Sequence, residues 1–318
     1  VVLSDKEVLT PDHCKDLVLS LLNDKQREIL SREREIDFSY NYKDTFRFRV
    51  NAFHERGRLS AALRLIMKKI RTLDELNLPS ILERFVQRAQ GFVLVVGPAG
   101  CGKSTTLASL VDLINHTRTE HIITIEDPIE YIFEHDKSVI DQREVYSDTL
   151  SFPRALRSVL REDPNVVLIG EMRDLETISS ALTITETGHL VLTTLHTNTA
   201  SQTIDRIIDV FPPYQQPQIR SQLANTLSGV ISERLIPRIG GGRVPACEIM
   251  IANSAIRNLI REGKIYQISS VIQTSGEEGM ISLDKSLAML VKKGVTTRAE
   301  ALPWVLDKGQ FESFLKEV

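Results

Sequence analysis

Apolar positions change their spacing several times along the chain, and each change marks a boundary between elements. After Thr10-Pro11, an N-cap followed by a first-turn proline, Leu17, Leu21, Leu22, Ile29 and Leu30 recur at helical spacing. The period then drops to two. Residues 36–40 predict one strand. Residues 45–53 predict another, with Phe46, Phe48, Val50 and Ala52 on one face and Arg47, Arg49 and Asn51 on the other. Residues 59–66 return to the same sheet, completing a small α+β module over residues 1–67. The charged run Lys68-Lys69-Ile70-Arg71 opens a linker extending to residue 78. A short helix near 73–76 and another after Pro79 follow, the second ending at Gly91 as its C-cap.

From Gly91 the pattern becomes short apolar runs separated by amphipathic helices. The runs are 92–96, 122–125, 166–169 and 190–194, and the helices 103–114, 154–161, 175–185 and 201–208. Near-continuous apolar runs suit strands buried on both faces of a parallel sheet, so residues 79–318 predict a doubly wound α/β domain. Beyond Pro237 and the Gly240-Gly241-Gly242 turn the chain is expected to be mostly helical.

Composition narrows the class. The 318 residues suit two domains, and 39 basic against 42 acidic residues leave a net charge of −3, which argues against a dedicated nucleic-acid binder. Cys14, Cys101 and Cys247 are widely spaced with no CxxC pair, which argues against a disulfide framework or a cysteine zinc site and for a reducing compartment. The longest apolar runs fall far short of the ~20 residues needed to span a bilayer, and no signal peptide opens the chain. These features predict a soluble, cytoplasmic protein.

Chemistry concentrates between residues 97 and 196. Gly97-Pro98-Ala99-Gly100-Cys101-Gly102-Lys103-Ser104 matches G-x-x-x-x-G-K-[ST], with Thr105 next, an apolar strand before it and a helix after it. Glycines let the backbone wrap phosphates and bring free N–H groups of the helix start to bear on them. Lys103 would reach the β- and γ-phosphates, and Ser104 would ligate Mg²⁺. Hydrolysis also needs a metal-associated acid and a group that orients water. Glu126-Asp127-Pro128-Ile129-Glu130 closes one predicted strand, and Glu171 follows another. Composition and spacing leave the choice of base between Glu126 and Glu130 open.

His196 follows the 190–194 strand and reads as a γ-phosphate sensor or as a structural histidine; His189, at the strand's other end, reads as structural. Arg47 and Arg49, with Arg56 and Arg64, are the candidates for an arginine acting on the transferring phosphoryl group. Arg154, Arg157 and Arg161 share a helical stripe opposite Leu156, Val159 and Leu160, a solvated or intersubunit face.

Together, Gly97–Ser104, the segment TIEDPIE at 124–130, GEMRD at 170–174 and GHLVLTTLHTN at 188–198 resemble the PilT family of type IV pilus retraction ATPases within the secretion-ATPase superfamily. AIRNLIREGK at 255–264 resembles the segment tied to retraction in that family. Its own pattern is an amphipathic helix with Ile256, Leu259 and Ile260 on one stripe, Arg257 and Arg261 on another, and Gly263 as C-cap.

The resemblance implies a homohexameric ATP- and Mg²⁺-dependent ring, with a PAS-like N-terminal domain before a RecA-like motor domain. It implies Glu130 as catalytic base, Glu171 as the Mg²⁺-associated acid, His196 as the His-box residue, and arginines of 47–64 reaching a neighbour's nucleotide. The implied partner is a platform protein of the inner membrane, with the ring docked peripherally on its cytoplasmic face and no nucleic acid involved. The alternatives are a pilus-assembly or type II secretion ATPase of the same superfamily, many of which carry a four-cysteine zinc motif absent here, and an accessory subunit that binds nucleotide with little hydrolysis. Two departures stand out. Ala99 and Cys101 replace the usual Thr and Ser, and Cys101, beside Lys103 and a helix start, is expected to be a reactive thiol. The family's first strand and helix have no counterpart, so the N-terminal domain is expected to be incomplete.

Overall fold

The computed structural model describes residues 8–43, 46–66 and 69–316. Thr45, Lys68 and the expected domain limit at residue 67 therefore lie outside the described residues. The chain forms two compact units, one of residues up to Lys69 together with Pro128–Ile132, the other of Ile70–Asp127 and Phe133 onward.

In the first unit the expected long helix is two. Helix α1 spans Pro11–Ser20 and α2 spans Asp24–Glu33. Asn23 breaks them apart: its side chain accepts from Gln26 N while the Gln26 side chain accepts from Asn23 N, a capping box that starts a new helix. The Thr10 hydroxyl caps α1 as its spacing predicts, accepting from His13 N. Strands β1 (Glu35–Tyr42), β2 (Phe46–Glu55) and β3 (Arg58–Ile66) form an antiparallel meander. The apolar alternation of β2 is realised only in part. Val50 and Ala52 are fully buried with Val18, Leu22, Leu30, Phe38 and Leu59, whereas Phe46 is about half exposed at 47%.

The second unit opens differently from expectation. Residues 73–77 form a hydrogen-bonded turn rather than a helix, and the element after Pro79 is a 3₁₀ turn running into the short α3 (Glu83–Val86). Gly91 is not a helix cap. It is the first residue of β4 (Gly91–Val96), at φ +144°, where a Cβ would lie 2.0 Å from Ser228 Oγ. There follow α4 (Lys103–Thr117), β5 (His121–Glu126), β6 (Val139–Glu144), α5 (Phe152–Val159), β7 (Val166–Ile169), α6 (Leu175–Glu186), β8 (Leu190–Leu195), α7 (Ala200–Asp209) and α8 (Gln216–Thr226). The expected helical C-terminal region starts late. β9 (Leu227–Pro237) and β10 (Arg243–Ile251) precede it, and helices take over only with α9 (Ser254–Glu262), α10 (Ile268–Thr274), α11 (Leu283–Lys292), α12 (Arg298–Ala301) and α13 (Lys308–Lys316).

The seven-stranded sheet runs β10-β9-β4-β8-β7-β5-β6 and is parallel except for β10, which pairs antiparallel with β9. The four expected strands β4, β5, β7 and β8 occupy its middle, and every residue of β4, β7 and β8 is buried. The three unexpected strands are the polar or interrupted ones. Edge strand β6 is VIDQRE, edge strand β10 carries Pro245, and β9 carries Gly229, Glu233 and Arg234. The C-terminal helices close over β9 and β10 through Leu283, Leu287, Ala301 and Phe311.

Candidate nucleotide site

Parallel register assembles one edge. Val96 of β4 pairs with Leu195 of β8 on one side and Ser232 of β9 on the other, so Gly97 and His196 leave the sheet side by side, next to Glu233, where β9 runs on past them. Ile169 pairs with Ile125 and Thr193, which brings Glu126 and Glu171 to the same carboxyl-terminal edge. In open α/β sheets this is the edge where ligands bind.

Residues 97–102 form the loop from β4 into α4. Gly97 sits at φ +148°, with the position of a Cβ 2.6 Å from both Cys101 Sγ and the Glu233 carbonyl oxygen. Gly102 caps α4 at φ +108° and supplies no side-chain oxygen to its free N–H groups. That leaves the start of a 15-residue helix available to an anion. Ala99, Gly100 and Ser104 are exposed, Pro98 and Thr105 half-buried, and Cys101 and Lys103 buried. Cys101 departs from expectation: burial of the thiol pushes its pKa up, outweighing the lowering by Lys103, which favours the thiol over the thiolate.

A chain of polar contacts crosses the edge. Lys103 Nζ donates to the carbonyls of Gly97 (2.9 Å) and Pro98 (3.1 Å) and lies 3.4 Å from His196 Nδ1. His196 Nε2 is 3.4 Å from Glu171 Oε2, and Arg173 Nε pairs with Glu171 Oε1. Lys103, His196 and Glu171 are thus brought together. Glu126, at the same edge, is held by the Thr124 hydroxyl (2.7 Å) and the Gln142 amide (3.2 Å), both donating to its Oε1. His189 lies 2.8 Å from the Ile184 carbonyl through Nδ1 and serves the α6–β8 turn. The hard oxygens of Ser104 and Glu171 are the right donors for Mg²⁺.

In the first unit, Arg49 Nη1 lies 3.5 Å from Glu130 Oε1, and Arg49 Nε 4.0 Å from Asp37 Oδ1. Arg64 stands opposite Arg49 on β3, and Arg47 shares that face while donating to Ser39 Oγ at 2.9 Å. The two carboxylates offset the repulsion expected of facing like charges. Arg56 is elsewhere. It occupies the two-residue β2–β3 hairpin turn with Gly57, both at positive φ (50° and 76°), the geometry of a type I′ turn. Of the α5 stripe, Leu156 and Val159 are buried, Leu160 is exposed, and Arg157 pairs with Glu176 on α6.

Two residues of the edge belong to no sequence motif. Arg234 donates to the Asn198 carbonyl (2.8 Å), to Asn198 Oδ1 (3.1 Å) and to its neighbour's carbonyl (2.7 Å), tying the segment after β8 to β9. Glu233 is 1% exposed beneath the loop. Both lie on a strand that the apolar pattern does not reveal. A charged pair inside an otherwise apolar run, -Val230-Ile231-Ser232-Glu233-Arg234-Leu235-Ile236-, is the signal available.

The fold and edge define a P-loop nucleotide-binding protein, and comparison narrows the class. Residues 30–261 match the family model described as Type II/IV secretion system protein, and the chain belongs to that family. It is 52% identical to the type IV pilus retraction ATPase PilT of Pseudomonas aeruginosa over 285 residues, 90% of this chain and 83% of that protein. It is 50% identical to a twitching motility protein of Neisseria gonorrhoeae, over 90% of this chain and 77% of that one. A crystal structure of the pilus retraction motor PilT with bound ADP superposes with a TM-score of 0.88 at 48% identity, covering 95% of this chain and 86% of that chain. The α/β unit is accordingly a RecA-like secretion-ATPase fold.

Proposed function

We propose that this chain is an ATP-hydrolysing motor that drives retraction of type IV pili. The observation that carries the reading is the chain Lys103–His196–Glu171 at the mouth of the glycine loop, in a protein half identical to a pilus retraction ATPase. ATP binds with its phosphates on the N–H groups of residues 97–104. Lys103 exchanges the carbonyls of Gly97 and Pro98 for the β- and γ-phosphate oxygens, and His196 reports that exchange to Glu171 through its two ring nitrogens. Ser104 and Glu171 would hold Mg²⁺, which would supply positive charge against the charge developing on the phosphates. Glu130 takes the proton of the attacking water, and Arg49, its partner here, belongs to the arginine face with Arg47 and Arg64 that acts on a neighbouring subunit's nucleotide. The working assembly is a homohexameric ring docked peripherally on an inner-membrane platform protein. No helix among the described residues is long and apolar enough to cross a membrane.

Steady-state phosphate release from wild type, Lys103→Ala and Glu130→Ala tests the site. Loss of a general base costs on the order of 10²–10⁴ in rate. Glu130→Ala is expected to fall that far while still binding ADP, and Lys103→Ala to lose binding. A Glu130→Ala variant hydrolysing at the wild-type rate would remove Glu130 from the mechanism.

A further inference from the structure

Glu233 is a buried carboxylic acid with nothing to neutralise it fully. It follows Ser232, the register partner of Val96, and so lies against the point where β4 becomes the loop. Its carbonyl oxygen lies 2.6 Å from where a Gly97 Cβ would stand, and its Oε2 lies 3.7 Å from the corresponding Gly102 position. The carboxyl therefore sits under the first turn of α4, where the Thr106 hydroxyl hydrogen-bonds it and the Lys103 charge reaches it. Its Oε1 is fully buried with no hydrogen-bond partner, the only carboxylate oxygen so placed among the described residues. The groups facing it are Lys103 and Thr106 of α4, Cys101 of the loop and Cys247, its register partner on β10. Arg234 and Glu248 are the next charges, and each is engaged with other groups of β9, α7 or the segment after β8.

A carboxylate charged in that position would oppose the phosphates that the helix start attracts, and would compete with them for Lys103. An uncharged carboxyl would do neither. We propose that Glu233 is a positioning residue for the nucleotide's phosphates: braced by Thr106 under the first turn of α4, it sets the loop's affinity for an anion by whether its carboxyl carries charge. The proposal rests on residues 97–104 being the phosphate loop. Burial is the main influence on the acid and pushes its pKa up to about 8, against lowering by Thr106 and Lys103. The uncharged form therefore prevails at neutral pH, and nucleotide affinity falls as pH rises through about 8. Coupling is reciprocal, so nucleotide binding near that pH draws a proton onto the protein.

The test is ADP affinity of the full chain from pH 6.5 to 9, in wild type, Glu233→Gln and Lys103→Ala, with kcat and KM for ATP measured alongside. Wild-type affinity is expected to drop roughly tenfold between pH 7 and pH 9, within the range of ordinary site coupling. Glu233→Gln, which mimics the uncharged acid, is expected to hold a flat profile, with the change appearing in KM rather than in kcat. Parallel profiles for wild type and Glu233→Gln, with Lys103→Ala having lost binding, overturn the role of Glu233 alone. Wild-type binding by Lys103→Ala overturns the phosphate-loop reading beneath it. Should Glu233→Gln not fold, calorimetry of ADP binding to wild type at pH 8 in buffers of different ionisation enthalpy decides. Net proton uptake supports the proposal, and none contradicts it.

Discussion

Gly97 shows how little freedom the loop has. At φ +148° with two atoms 2.6 Å from the position of its missing Cβ, one of them backbone, it has no room to accept a side chain without moving β9 or Cys101. Gly97→Ala is expected to lower stability by about 1–3 kcal/mol and to weaken ADP binding at least ~10-fold. Urea denaturation and an ADP titration check both effects, and wild-type behaviour in both would refute the fit. The residues of the loop were legible because the motif is local: spacing, the preceding apolar run and the following helix all lie within a few turns of chain. The same locality picks out Glu126, Glu171 and His196, each just past an apolar run. Glu233 was not legible, since only the parallel pairing of β4 with β9 sets it beside Gly97. Nor could Cys101 be judged from its neighbours in sequence. Lys103 and a helix start promise a lowered thiol pKa, but burial of the same atom prevails.

Elements were legible where one physical signal dominated. The four buried central strands are continuous apolar runs, and their expected limits fall within a residue or two of the observed ones. Elements with mixed signals escaped. Helix α8 opens on Gln216-Pro217 with a weak apolar stripe, and the break between α1 and α2 depends on one asparagine in an otherwise continuous helical pattern. Helix α9 matches its pattern closely: Asn253 caps it, Gly263 ends it at φ +71°, and Ile256 and Ile260 are fully buried. Its two arginines, equivalent in the pattern, differ in the structure. Arg257 reaches the carbonyls of Ala252, Ala224, Asn225 and Leu227, closing the C-terminal end of α8. Arg261 reaches only the side-chain oxygens of Asn258 and Asn225, both in solvent. Arg257→Ala is therefore expected to cost about 2–3 kcal/mol and Arg261→Ala under about 0.5. Denaturant midpoints distinguish them, and equal losses would contradict this division of roles.

At the scale of the molecule, the doubly wound sheet places every chemistry-bearing segment of the larger unit on one edge, and the smaller unit carries the arginine face that holds Glu130. The glycine loop and the groups beside it serve the nucleotide whatever work the motor does. Direction of work is not written in that chemistry, because assembly and retraction motors would hydrolyse the same bond by the same groups. The most direct measurement is therefore made on cells. The gene is deleted in its host, restored as wild type or as Lys103→Ala, and surface pili are imaged together with twitching. Deletion and Lys103→Ala are expected to leave more surface pili and no twitching, and wild type to restore normal piliation and twitching. Loss of pili on deletion would contradict it and make this chain an assembly motor.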